Sequence, residues 1–201
     1  MIEDCTALIL AGGDSRRMGS DKASLQLGGQ TLLQRVAAVL QPLFPQVVVS
    51  VRQLRPDIEL AQVCDVPEAA GPLAGLAAGL ACADTPWVFA VACDMPFLTE
   101  SVILQLARRR ADFQAVVPVV QGHPQPLAAF YAASCLPAIR ANLAGGARHS
   151  MRAVLERLRV CYVPEAELLA ADPELLSFFD LDTPQDAALA ARRSEGSGTA
   201  Q

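Results

Sequence analysis

Residues 8–22 read LILAGGDSRRMGSDK. An apolar run ends in two glycines, and two arginines, a third glycine and a lysine follow by position 22. The stretch Thr6–Leu10 has the continuous apolar character of a strand covered on both faces. Gly12 and Gly13 allow a sharp turn that brings backbone N–H groups close to an anion. Arg16, Arg17 and Lys22 add full positive charge, and a phosphate chain is the natural guest of such a loop. Neither common phosphate signature fits. Ser20 and Asp21 separate Gly19 from Lys22, which breaks G-x-x-x-x-G-K-[ST], and Asp14 stands where G-x-G-x-x-G needs glycine.

Outward from this turn, short apolar runs alternate with helical patterns. Thr31–Leu40 carries Leu32, Leu33, Val36, Val39 and Leu40 at helical spacing. Val47–Val51 and Leu60–Cys64 read as strands, Leu73–Cys82 as a small-residue helix opened by Gly71-Pro72, and Trp87–Cys93 as a strong strand. Thr99 is placed to cap the next helix, with Glu100 in its first turn. Phe113–Val119 and Leu127–Tyr131 read as strands joined by PVVQGHPQP, a turn-rich crossover. Ser134 and Ser150 are candidate helix starts, Arg159–Val163 is an edge strand, and Thr183-Pro184 opens a helix to Arg193. This alternation implies an α/β fold: one domain, three layers, a doubly wound and mostly parallel sheet, with a small antiparallel part in the second half. Ligands of such sheets sit outside the carboxyl ends of the strands. The loop after Leu10, Asp65 and Asp94 all fall there.

The totals agree. The chain has 201 residues, 52% hydrophobic and 18% charged, which suits a core-rich α/β protein rather than a disordered one. The net charge of −5 argues against general binding to nucleic acid or anionic membranes, so cationic chemistry must be local. Six cysteines include no C-x-x-C pair, and two histidines are too few for a histidine-built zinc site. Reduced thiols, the acidic start MIEDCTAL and the lack of a membrane-length apolar run lead us to expect a cytoplasmic enzyme.

Asp94 follows a buried strand, and its carboxylate is a hard oxygen ligand suited to magnesium, which needs only one or two protein carboxylates when it shares phosphates. Asp65 precedes VPEAAGPLAG, where small residues allow a flat ring to approach the backbone.

At this point the residues become specific. LILAGGDSRRMGSDKASLQLGGQTLLQRV, CDVPEAAGPLAGL, ACDMPFL, HPQPLAAFY and FFDLDTPQD together resemble the molybdenum cofactor guanylyltransferases, from about Ala7 to Ala190. These belong to a wider nucleotidyltransferase superfamily with a Rossmann-like fold. The resemblance implies a nucleotidyltransferase domain over residues 1–193. Residues 1–100 would form mainly the nucleotide-binding half and 101–193 mainly the acceptor-binding half, with 194–201 a disordered tail. It implies transfer of GMP from GTP to the terminal phosphate of molybdopterin, with release of pyrophosphate and with Mg2+ as cofactor. Proteins that deliver the pterin or accept the finished cofactor would be further partners.

Carried over residue by residue, the resemblance makes Arg17, Lys22 and Asp94 catalytic, with Asp94 holding the metal. Leu10, Ala11, Gly12, Gly13, Lys22, Ser50, Asp65, Gly71, Pro72 and Asp94 would bind nucleotide. Gly12 points to the guanylyl branch, because relatives that transfer CMP usually carry alanine there. Asp65 would meet guanine, whose ring N–H and exocyclic amino group are adjacent donors that one carboxylate accepts together. Ser50 stands where the family has an asparagine and has a shorter reach. Arg148, with His149 beside it, and Asp180 and Asp182 fall on the acceptor side, whereas His123 reads as a loop residue. The two aspartates depart from the asparagines usual in the family, and their charge suits an anionic acceptor only if they face donors or a cation. Cytidylyl transfer to the same acceptor, nucleotidyl transfer to another phosphorylated small molecule, and a non-catalytic nucleotide-binding module remain as alternatives.

Overall fold

The computed structural model describes residues 1–12, 22–65, 71–145 and 150–196. Its elements are β1 (Cys5–Leu10), β2 (Gln26–Leu27), β3 (Gln30–Thr31), α1 (Leu32–Leu40), β4 (Gln46–Val51), β5 (Ala61–Cys64), α2 (Pro72–Cys82), β6 (Trp87–Ala92) and α3 (Glu100–Ala107) in the first half. The second half adds β7 (Ala115–Val120), β8 (His123–Pro124), β9 (Ala128–Ala132), α4 (Leu136–Ala144), α5 (Met151–Leu155), β10 (Val160–Pro164), α6 (Glu165–Leu168) and α7 (Pro184–Gly196). One sheet runs β10-β7-β9-β6-β1-β4-β5, with β8 paired to β7; β2 and β3 form a separate hairpin.

The central strand explains why residues 5–10 carry no polar alternation. Cys5, Ala7 and Ile9 enter a core shared with Leu33, Val36 and Leu40 of α1 and with Val102, Ile103 and Leu106 of α3. Leu8 and Leu10 enter a second core with Leu73, Leu76 and Leu80 of α2, Ile139 of α4 and Val154 of α5. Helices therefore cover both faces, and each buried Leu or Ile contributes about 1.5–3 kcal/mol. Gly79 sets how closely α2 lies on β1: a Cβ there would stand 2.3 Å from Leu8 Cδ2 and 2.7 Å from Leu8 Cδ1.

The helix starts follow from their caps. Thr31 accepts from Gln34 N while the Gln34 side chain accepts from Thr31 N, a reciprocal capping box. Thr99 Oγ1 accepts from Val102 N at the start of α3. Ser134 falls within a 3-10 turn, Ala133–Cys135, one step before α4, and Ser150 precedes α5 without a capping bond from its side chain.

The sheet is mostly parallel. β1 pairs in parallel with both β4 and β6, and β4 with β5. β9 is the exception, antiparallel to both β6 and β7. The segment between β7 and β9 is therefore not the crossover that its turn-rich sequence suggested. Gln121 (φ 51°) and Gly122 (φ 76°) form a tight reversal that pairs Val120 with His123, and the chain then folds back so that Ala115 faces Tyr131. Positive φ at both turn residues matches the twist of a hairpin. His123 is thus a short-strand residue rather than a loop residue. A second correction concerns the end of the chain: α7 continues to Gly196, past the expected stop at Arg193, so residues 194–196 are helical rather than a disordered tail.

Candidate active site

The site stands at the carboxyl ends of β1, β4, β5 and β6, and the ladder itself positions its residues. Ala11 N donates to Ser50 O (2.9 Å), Asp65 N to Val51 O (2.9 Å) and Cys93 N to Leu10 O (3.2 Å). Ladder pairing thus runs to the residue before Gly12 and before Asp94, and through Ser50 and Asp65 themselves. Leu10, Ala11, Gly12, Ser50 and Asp65 line one cleft together with Gly71 and Pro72 at the start of α2. Lys22 and Asp94 line the same cleft. Of the sequence candidates, Gly13, Arg16, Arg17, Arg148 and His149 lie outside the described residues.

At one end of the cleft the Asp65 carboxylate is bonded on one side and closely approached on the other. Ser50 Oγ donates to Asp65 Oδ1. Gly12 approaches the other oxygen so closely that a Cβ would stand 2.6 Å from Asp65 Oδ2. Burial pushes the Asp65 carboxyl above its ordinary value, while the Ser50 hydrogen bond and the Arg52 charge pull it back. Gly71 caps α2 at φ 97°, a left-handed conformation that favours glycine, and Pro72 begins the helix without needing a donor. α2 thereby starts abruptly at the rim of the cleft.

At the other end, Lys22 opens a 3-10 turn, and its ammonium donates to Asp94 Oδ2 (2.7 Å) and Asp182 Oδ1 (2.6 Å). Burial opposes its charge, but the hydrogen bonds to Asp182 and Asp94 outweigh that and raise its pKa. Asp182 comes from a segment nearly ninety residues after Asp94, and two devices deliver it. Leu181 N donates to Asp94 O (3.0 Å), which pins the chain beside β6. Thr183 and Asp186 then form a reciprocal cap at the start of α7: Thr183 N donates to Asp186 Oδ2 (2.8 Å) and Asp186 N to Thr183 Oγ1 (3.2 Å). The charge of Asp182, awkward on sequence grounds, therefore faces a cation. Asp180 sits nearby at an exposed position; partial desolvation of its carboxyl, then the charges of Asp94 and Asp182, raise it to about 7.

Asp94 and Asp182 pair with the Lys22 ammonium, and Asp180 lies near all three; desolvation first, and then the neighbouring carboxylates, disfavour its ionised form. A hard divalent cation shared with phosphates suits such a donor set, with Asp94 and Asp182 the accessible oxygens. No group of three or more His, Cys, Asp or Glu among the described residues forms a cage able to hold a metal by itself.

Two features escaped the sequence reading. Asp182 was assigned to the acceptor, but it meets Lys22 within the phosphate-loop apparatus. Gly75, one turn into α2, was read as room for a flat ring. A Cβ there would stand 2.4 Å from Ser50 Oγ and 3.2 Å from Asp65 Oδ1, so its missing side chain makes room for the Ser50–Asp65 pair. The i, i+4 spacing of Gly75 and Gly79 was the available signal that this helix lies unusually close to the sheet.

Comparison with known proteins gives a consistent result. The family model of the MobA-like NTP transferase domain matches residues 7–161. A probable molybdenum cofactor guanylyltransferase of Pelotomaculum thermopropionicum is 35% identical over 198 residues, covering 96% of this chain and 95% of the relative. The crystal structure of molybdopterin-guanine dinucleotide biosynthesis protein A from Archaeoglobus fulgidus superposes with a TM-score of 0.85 at 30% identity, covering 95% of this chain and 99% of that one. The 2-C-methyl-D-erythritol 4-phosphate cytidylyltransferase of Thermus thermophilus, at 21% identity and a TM-score of 0.67 over 94% of this chain and 98% of that one, shares the fold. With the family model spanning well over half of its length and a relative matched almost end to end, the chain belongs to the MobA-like NTP transferase domain family.

Proposed function

We propose that this protein transfers GMP from GTP to the terminal phosphate of molybdopterin, releasing pyrophosphate and forming the guanine dinucleotide of the cofactor. One observation supports this most strongly: Gly12, Lys22, Asp65 and Asp94, from four separate strand ends and loops, line a single cleft. The relatives named as guanylyltransferases supply the choice of nucleotide and acceptor.

In this reading the Asp65 carboxylate accepts both donors of the guanine edge. Cytosine presents one donor beside acceptors, so the same carboxylate repels it, and a buried mismatch of that kind discriminates strongly. Gly12, with Gly13 after it in the chain, would offer backbone N–H groups to the phosphates. Lys22 stays protonated between Asp94 and Asp182 and neutralises charge on the α-phosphoryl group, with Arg17 assisting. Asp94, with Asp182, would hold Mg2+, which when bound supplies Lewis-acid charge neutralisation on the phosphates. The incoming nucleophile needs no general base. A phosphate monoester has a second pKa near ~6 and is already mostly dianionic at neutral pH. Positioning and electrostatics therefore carry the catalysis. Arg148 and the 101–193 half would receive the pterin side, with 1–193 acting as one domain.

We also propose a cytoplasmic location, supported by six free cysteines. No helix among the described residues is long and apolar enough to cross a membrane. The test is pyrophosphate release: the purified protein with GTP, Mg2+ and molybdopterin should form pyrophosphate and the guanine dinucleotide in equal amounts. No pyrophosphate, or equal use of CTP, would refute the proposal.

A further inference from the structure

We propose that Ser50 is a positioning residue for base selection: it orients the Asp65 carboxylate toward the nucleobase, and Gly75 is the gap in α2 that lets the pair form. The inference rests on the reading of Asp65 as the base-reading group and deepens it. Ser50 is only 1% exposed. It lies two residues beyond Val48, on the face of β4 that packs under α2. A serine has one hydroxyl proton, and here it is spent on Asp65 Oδ1. Ser50 is therefore not a donor to the nucleotide, the role suggested by the asparagine usual at its position.

The arrangement reaches beyond a single hydrogen bond. Register places Ser50 opposite Val63, and the bond from Asp65 N to Val51 O sets the Asp65 backbone two residues further on. The carboxylate is then held by Ser50 at Oδ1, while the missing Gly12 side chain leaves the space that Oδ2 occupies. A Cβ at Gly75 would overlap the Ser50 hydroxyl at 2.4 Å, so any side chain there would dislodge it. Among the described residues, β1 and α2 bring no charged group to Asp65 here, and Arg52, just past the end of β4, is the charge that acts on it. A carboxylate fixed in orientation presents its free lone pairs to paired donors. A free one would rotate and lose the match that separates guanine from cytosine.

The test is a double-mutant cycle on binding, measured calorimetrically with GTP and with CTP for wild type, Ser50→Ala, Asp65→Ala and the double variant. Ser50→Ala should weaken GTP about tenfold and CTP less than about twofold, as expected for loss of a hydrogen bond to a charged group. In the Asp65→Ala background, Ser50→Ala should change neither. Gly75→Ala, which leaves Ser50 in place but intrudes on its hydroxyl, should reproduce the GTP-selective loss. A purely structural role would instead lower affinity for both nucleotides, and that result overturns the proposal. So does a Ser50→Ala effect that survives without Asp65, since it would mean direct contact with the ligand. If Asp65→Ala is GTP-selective while Ser50→Ala is silent, the positioning claim fails and the base-reading role stands. If Asp65→Ala weakens GTP and CTP equally, the base-reading role itself fails.

Discussion

Asp180→Asn should stabilise the protein, and by an amount that grows with pH. Asp180 is exposed overall, yet its carboxyl is partly desolvated and faces the charges of Asp94 and Asp182, with Lys22 giving partial relief. Its carboxyl rises from 3.8 to about 7 in the folded state. Because the side chain is exposed, solvent screens most of that rise, and about 1 kcal/mol of it reaches folding stability. The sign follows from proton linkage. Below about pH 4 the carboxyl is protonated in folded and unfolded chains alike, and the desolvation costs nothing extra. Between about 4 and 7 the unfolded chain releases the proton more readily, so the folded state loses stability as pH rises. Above about 7 the loss is complete and the curve flattens. Asparagine is neutral and close in shape, so it escapes this loss. Urea unfolding of wild type and Asp180→Asn at pH 5 and pH 8, in chelator to exclude metal, should show a stabilisation at pH 8 exceeding that at pH 5 by about 1 kcal/mol. A difference that is constant across pH would refute the electrostatic reasoning and leave only a packing effect. A destabilised variant would mean that the ionised carboxylate has a compensating partner in the folded chain.

Three further outcomes follow from the geometry. Lys22→Ala should lower turnover at least about 100-fold, as for loss of a preorganised charge at a transferring phosphoryl group, while the melting temperature moves only a few degrees; pyrophosphate release and a thermal melt check both, and intact turnover would remove Lys22 from the reaction. Gly12→Ala puts a Cβ 2.6 Å from Asp65 Oδ2, so the carboxylate must swing off the base and GTP affinity should fall about tenfold with CTP little changed, as read by competition binding. Gly79→Ala drives a methyl into the buried Leu8 side chain and should cost about 1–3 kcal/mol in denaturant unfolding while leaving the relative preference for GTP over CTP unchanged.

Much of the architecture was legible because local signals and burial coincide. The unbroken apolar run before Gly12 could only be a strand packed on both faces, and the two cores that divide Ile9 from Leu8 bear this out. Thr99 and Thr183 marked helix starts because each supplies a hydroxyl that an unsatisfied N–H needs. The direction of β9 was not legible. Ala128–Ala132 is as apolar as its parallel neighbours, and only its seat between β6 and β7 makes it antiparallel. The hairpin at Gln121-Gly122 was hidden because Pro118, Pro124 and Pro126 made the whole stretch look like a loop.

At the site, the motif residues Gly12, Lys22, Asp65 and Asp94 were found because their types and positions at strand ends carry the chemistry. The partners of those residues were not. Asp182 reaches Lys22 across 160 positions through a backbone bond from Leu181 to Asp94, a contact with no sequence signature. Ser50 and Asp65 meet because adjacent parallel strands place them side by side beneath a helix glycine, which again depends on register and on helix height.

The most direct measurement is a crystal structure of the protein with GTP and Mg2+. Density for guanine should lie against the Asp65 carboxylate, with both donors of its edge within hydrogen-bonding distance, and the α-phosphoryl group should lie beside Lys22 with the ion on Asp94. A base stacked elsewhere, or a triphosphate bound away from the turn that follows Leu10, would contradict the assignment of this cleft.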